Sequence, residues 1–412
     1  MSPKQIARRR WSERYLEVLR TLAAEFQSGS GAAAIAAKLF HRDWPQIRAA
    51  QAWAAASGTH DQIAWEMCVG FATCGSSGTG AALRDVSQPP LDRIRWLEAG
   101  LAAARSTANR RAEAVILYDL GLTVPEWYGV AKSIEYAMQA RQLFHELGDY
   151  HNECAALNLI GLAHTHSGSP QLAVEHHEQS LAIARAEDHQ ADEVFALRCL
   201  ADVHARLSDA EKAGEHFEIA LAIVRRMGDM PEEVAILTRV GKLQSATGNV
   251  DAARDSLSQA ASLLSNELLE TCDDLSIANE LGLALVLADD SRGLTLLNAA
   301  VAIFETRRDF SGVGRVYVNL GIAHFRLRQC EEAAKAFEHA IARLEVHGPR
   351  VLAGLAHLQL ARCHVETGNA DSAAAAYADA SRFFREIGDQ KRFGQTLAEA
   401  SNHLGWLETS TR

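Results

Sequence analysis

Proline is scarce in this chain, with 8 residues in 412. Because proline breaks a helix interior, its scarcity leaves room for many uninterrupted helices. Cysteine is thin and unpatterned. The seven cysteines, Cys68, Cys74, Cys154, Cys199, Cys272, Cys330 and Cys363, are odd in number and include no CxxC pair. That excludes a disulfide framework and a cysteine zinc ribbon, and it fits small buried thiols in a reducing cytosol. Long apolar runs are missing too: stretches such as Leu281 to Ala288 fall far short of the roughly 18–20 residues of a membrane span. The opening MSPKQIARRRWSERY has neither an apolar stretch nor a small-residue cleavage site, so no signal peptide is expected. Nor does positive charge dominate. Lys+Arg number 41 against 52 Asp+Glu, a net charge of −11, which argues against broad binding to nucleic acid or anionic membrane.

What is present is 48% hydrophobic and 23% charged residues, a globular balance, and an internal repeat. A Leu-Gly-like pair recurs at Leu120-Gly121, Ile160-Gly161, Leu200-Ala201, Val240-Gly241, Leu281-Gly282, Leu320-Gly321 and Leu360-Ala361. Twelve residues after the second member sits a small residue: Ser133, Ala173, Ala213, Ala253, Ala333 and Ala373. Nineteen after it sits another: Ala140, Ser180, Ala220, Ala260, Ala340 and Ala380. The Gly282 unit fits with a turn one residue shorter, giving Gly293 and Ala300. Between the two series lies a mostly large residue: Ala137, His177, Phe217, Leu257, Leu297, Phe337 and Tyr377.

Each unit therefore reads as two amphipathic helices split by a turn. Small residues fall where the two helices approach closely, and the large one fills the space between them. Ala374 and Ala376 fall between core positions in this register. Gly148-Asp149, Gly228-Asp229 and Gly388-Asp389 end units as helix C-caps do. Pro170, Pro231 and Pro349 fall at helix starts.

At these residues the chain resembles the tetratricopeptide repeat family, in a longer-helix form with a 40-residue period, over residues 111 to about 407. The implied fold is all-α: a right-handed superhelical solenoid of antiparallel helix pairs. The usual aromatic at the eleventh repeat position is replaced by Val124, His164, His204, Gln244, Leu285, His324 and His364. One histidine per repeat, on helices at least about 8–10 Å apart, cannot gather on one ion that needs bonds near 2 Å. These histidines are expected to be amphipathic filler.

The first hundred residues differ. Residues 10–28 and 31–40 read as helices, Pro45 as the start of another, and 61–73 with 91–106 as a degenerate pair split by GSSGTGAALRDVSQPP. FHRDWPQIRAAQAWAA and RIRWLEAGLAAAR resemble the entry to the helical sensor region of STAND-type signalling ATPases. No Walker A string exists, so that resemblance implies the recognition arm alone. The expected organisation is a helical cap region over 1–57, a degenerate helix pair over 58–110, seven repeats over 111–389, and a capping helix and tail over 390–412. Residues 1–20 are basic, with Lys4, Arg8, Arg9, Arg10, Arg14 and Arg20 against Glu13 and Glu17.

No GxSxG, HExxH, paired Cys/His spacing or dinucleotide fingerprint occurs, so no enzyme, cofactor or metal is expected. In the tetratricopeptide family, positions two, five and nine of each first helix line a concave groove that holds a peptide or partner protein. Carried over, the resemblance implies a groove lined by Asn158, Arg198, Thr238 and Asn279 (position five), Asp202, Lys242 and Arg362 (position nine), and Arg315 (position two). The clamp of chaperone-binding members is not reproduced. The expectation is a cytoplasmic scaffold or adaptor that binds another protein or peptide, with an effector enzyme or ATPase encoded separately. Two alternatives stay open. One is a sensor arm for an effector or signal peptide; the other is a regulator of a partner enzyme that touches nucleic acid through residues 1–20.

Overall fold

Alanine-rich segments without interior prolines become helices, and the helices pair because each has one apolar face to hide. The computed structural model describes residues 2–26, 30–57, 62–74, 90–123, 129–264, 276–306 and 308–404. Among them are nineteen helices and no strand. None is long and apolar enough to cross a membrane. The connector at 75–89, Val124, Trp127 and Cys272 lie outside the described residues.

The chain divides into two compact units. The first holds α1 (Pro3–Phe26), α2 (Ser30–Ser57), α3 (Gln62–Thr73), α4 (Pro90–Ser106), α5 (Arg110–Thr123), α6 (Val130–Glu146), α7 (Tyr150–His166), α8 (Pro170–Ala186), α9 (Gln190–Arg206), α10 (Ala210–Met227) and α11 (Met230–Ala246). The second holds α12 (Val250–Leu263), α13 (Ser276–Leu287), α14 (Arg292–Thr306), α15 (Phe310–Arg326), α16 (Cys330–His347), α17 (Arg350–Glu366), α18 (Ala370–Glu386) and α19 (Gln390–Leu404). In each unit successive helices pack as antiparallel pairs, among them α7 with α8, α9 with α10, α15 with α16 and α17 with α18. The division falls between α11 and α12, which the sequence reads as the two helices of one repeat.

The helix ends follow from local chemistry. Asp149, Asp209, Asp229, Asn249, Asp309 and Asn369 cap helices by accepting a hydrogen bond from the backbone N–H three residues on. Turns close through a residue in the left-handed region. Gly148 (φ 66°) takes it without strain, whereas Ser208 and Arg328 (φ 61° each) hold it with a side chain. Pro170 and Pro231 sit in first turns and Pro349 at an N-cap, as expected.

Inside the pairs, Ala213, Ala220, Ala333 and Ala340 are fully buried. A Cβ at Gly161 would lie 2.5 Å from the His177 ring, and one at Gly321 2.5 Å from the Phe337 ring. The small eighth position exists because the large residue of the second helix rests on it. Ala376 departs from its expected place: it is buried in the cluster that holds Tyr377 and Phe383, because the last helix, α19, also packs on α18.

Pro45 does not start a helix. It sits inside α2, which runs unbroken from Ser30 to Ser57. Phe40, Ile47, Ala50 and Ala54 on either side of it are all fully buried on one face. Trp44 stacks on Phe40 at 5.2 Å and on Trp96 of α4 at 5.3 Å. This continuous apolar face offsets the roughly 3 kcal/mol cost of an interior proline.

Candidate binding surface

The first helix of a central repeat is enclosed by its own partner helix and by helices before and after it. α9 shows this. Asp192, Val194, Ala196, Leu197, Cys199, Leu200, Ala201, Val203 and His204 are all buried. Between the helix ends an open line runs through exposed Ala191 and Phe195 and half-buried Arg198 and Asp202, spaced by four, three and four residues on one face. Sequence spacing alone places Arg198 and Asp202 on one face. The enclosure makes that face the open one.

The charges on this line are engaged with the neighbouring first helix. Arg198 Nε lies 3.2 Å from Glu232 Oε1 of α11. Arg239 of α11 donates to Asp202 Oδ2 at 3.2 Å and to the Ala235 carbonyl at 3.2 Å. The Arg198 guanidinium also lies over the Phe195 ring, 4.8 Å from its centroid. Lys242 is half-buried on α11. Leu122 on α5 and Leu162 on α7 occupy the register position of Asp202 and Lys242, and both are exposed. The surface thus grades from apolar on α5 and α7 to charged and aromatic on α9 and α11.

Other residues expected to line the groove lie elsewhere. Asn158 is buried inside the α7–α8 pair, where it donates to Ser180 Oγ at 2.9 Å and accepts from His177 Nδ1 at 2.9 Å. Thr238 is buried and returns its hydroxyl to the Val234 carbonyl at 2.7 Å. Asn279 is buried and accepts from Asn319 at 2.9 Å. These three correct the expectation: position five is enclosed by the neighbouring helices, for Val318 and Leu358 as for Asn158, Thr238 and Asn279, and its polar members take hydrogen bonds there. In the second unit Arg315 is exposed, and Arg362 makes a two-pronged pair with Glu399 of α19 at 2.6 and 2.8 Å.

Two of the four eleventh-position histidines do more than fill space. His164 stacks face to face on His176 of α8 at 5.4 Å, and His204 on His216 of α10 at the same distance. Burial, reinforced by the partner ring, holds His176 and His216 below the ordinary histidine range. Burial pushes the Cys68 and Cys199 thiols up to about 12, which leaves them inert as nucleophiles. At the starts of α7 and α9, His151, His189 and Asp192 bring ligand atoms within 4.8 Å of one another. No single repeat position signals that grouping.

Fold and surface define a helical-repeat protein with an open line of first-helix side chains. The chain carries tetratricopeptide repeats: that family's model matches residues 192–266 and 312–386. The Rap conjugation gene regulator of plasmid pLS20, solved with the Phr* peptide, superposes with a TM-score of 0.52 at 11% identity, over 84% of this chain and 94% of that one. A Rap protein complexed with competence and sporulation factor gives a TM-score of 0.51 at 12% identity, over 92% and 99%. Aspartyl phosphate phosphatase F from Bacillus subtilis gives 0.52 at 12% identity, over 70% and 73%. At such identities the likeness is one of fold. No curated protein sequence matches the chain.

Proposed function

We propose that the protein is a regulatory adaptor that captures a peptide or an extended segment of a partner protein on the open line of its first helices. The observation that carries this reading is the line Phe195, Arg198 and Asp202 on a helix whose middle is otherwise buried from Val194 to His204. A bound segment finds there an aromatic anchor and charges of both signs, with apolar Leu162 on the adjoining helix. Such a surface suits recognition by a few anchors with charges that set orientation. Two of the similar folds were solved with a peptide or factor in complex. The partner would belong to a regulatory complex, an effector enzyme or ATPase among the candidates.

Capture of partners by the intact chain, with mass spectrometry of what co-purifies, tests this. Phe195→Ala with Asp202→Ala should cut capture of the identified partner at least tenfold, about 1.4 kcal/mol or more. Arg226→Glu, on exposed α10 surface, should not. Asp202 is 45% exposed, so losing its pair with Arg239 costs little, and an unchanged melting temperature of the double variant controls for it. Arg198 is 15% exposed, and its pair with Glu232 mixes folding with binding. Undiminished capture by the double variant, or loss with Arg226→Glu alone, would overturn the reading.

A further inference from the structure

Five helices, spaced at multiples of forty residues, open with a capping Asn or Asp. Asn109, Asp149, Asp229, Asp309 and Asp389 each accept a backbone N–H three residues on. α9 departs from them, as does α17 with Pro349 at its N-cap. The N-cap of α9 is His189, which caps no backbone N–H with its side chain. The ring instead points Nδ1 at the carboxylate of Asp192, 3.3 Å from Oδ2. His151, in the first turn of α7, reaches the same carboxylate, with Nδ1 2.8 Å from Oδ2 and 3.0 Å from Oδ1. Two imidazoles from adjacent first helices thus converge on one carboxylate oxygen, where the repeat's own pattern would spend the residue on a cap.

We propose that His151, His189 and Asp192 form a binding site for one zinc ion. The donor set is two imidazole nitrogens and one carboxylate oxygen, which suits zinc and disfavours magnesium and calcium, whose ligands are oxygens. In tetrahedral zinc, ligand atoms bonded at about 2.0–2.2 Å lie about 3.3 Å apart. The His189-to-carboxylate separation of 3.3 Å matches that spacing, and the His151 separation of 2.8 Å is a hydrogen bond that an ion would replace by opening it about 0.5 Å. The rings stand 6.2 Å apart at their centroids, tilted by 32°, so they are not stacked on each other. Both are about half exposed, which gives an ion a path in, while Asp192 is largely buried and anchors the site. A cleft of about 350 Å³ adjoins His151 and His189, with room for water in the fourth position. The cationic group lining that cleft, Arg111, faces Asp149 at 3.5 Å. A bound ion would pin the start of α7 to the start of α9.

The test uses the full chain, stripped with chelator and titrated with Zn²⁺ by calorimetry. Cobalt is substituted for its visible spectrum, and Mg²⁺ serves as a control. The expected result is one equivalent bound with micromolar or tighter affinity, a raised melting temperature, and a cobalt spectrum of nitrogen and oxygen ligands without thiolate. His189→Asn removes a ligand while restoring the capping residue type. It should lose at least 100-fold in affinity with the metal-free melting temperature unchanged or higher. His151→Ala should lose as much. His164→Ala with His204→Ala should keep the site. Absence of stoichiometric Zn²⁺ binding, or a loss under tenfold in both His189→Asn and His151→Ala, would overturn the proposal.

Discussion

His145 holds Glu153 at 3.0 Å where three other repeats use an arginine. Arg105–Glu113, Arg185–Glu193 and Arg225–Glu233 make the same contact eight residues apart, each at 2.7 Å. The four pairs recur every forty residues and tie the end of one repeat to the start of the next. Glu153 differs in being almost fully buried, with the Arg141 guanidinium also within 3.6 Å. His145→Arg restores the series and supplies a guanidinium, which stays charged at every working pH. Urea melts at pH 8 should show a gain of about 0.5–1 kcal/mol. An unchanged midpoint would mean that Arg141 alone neutralises Glu153.

His177 should make the first unit sensitive to acid. It is fully buried, gives its Nδ1 proton to Asn158, and burial lowers its pKa from 6.5 to about 4. The unfolded chain therefore takes up the proton first. Stability is complete above about pH 6.5 and falls as pH drops toward 4, by about 3 kcal/mol across the window. His176 and His216 are displaced the same way and steepen the fall. Phe337 and Val318 occupy the places of His177 and Asn158 four repeats on. His177→Phe with Asn158→Val copies that pair and leaves Ser180 its bond to the Cys154 carbonyl at 3.3 Å. Melting followed from pH 7 to 4.5 should show a shallower slope in the double variant, and an identical slope would exclude His177 as the cause.

The small positions set the distance between paired helices. Ala213→Leu and Ala333→Leu insert side chains where no exposed surface remains, at a cost of about 1–3 kcal/mol each. Ala375→Leu, on the exposed face of α18, should stay within about 0.5 kcal/mol. Equal thermal shifts at all three sites would show the register to be wrong.

α19 seals the end of the second unit. Glu399 receives both prongs of Arg362 and the Tyr377 hydroxyl at 3.1 Å, while Thr396 and Ala400 are fully buried. The Arg362 hydrogen bonds hold the Glu399 carboxyl below its ordinary range. Its contribution is thus present above the unfolded carboxyl value and disappears as pH falls through the lowered one. Glu399→Gln should cost about 1–3 kcal/mol at pH 7 and nothing once the carboxyl is protonated in both states. A chain ending at 389 should keep its remaining helicity but aggregate, because the apolar face of α17 and α18 is then uncovered. A soluble monomer with unchanged melting would contradict this.

How far the sequence reaches can be judged residue by residue. The register of small and large residues is legible because it repeats, and a contact made in every unit leaves the same mark in every unit. Asn158 and Thr238 are misjudged because a polar residue type suggests an open surface, whereas the neighbouring helices enclose this position whatever residue fills it, Leu358 included. Pro45 is misread because local propensity cannot see the apolar face that Phe40, Ile47 and Ala54 share across it.

The sequence by itself determined the helices, their pairing and the spacing of the repeats, since these rest on local propensity and on contacts within about forty residues. Only the tertiary structure decided that Asp202 meets Arg239 rather than Lys242, and that His164 stacks on His176. It alone decided that His151, His189 and Asp192 converge. Those outcomes depend on rotamers and on helix-to-helix offsets of a few ångströms, which no spacing along the chain encodes.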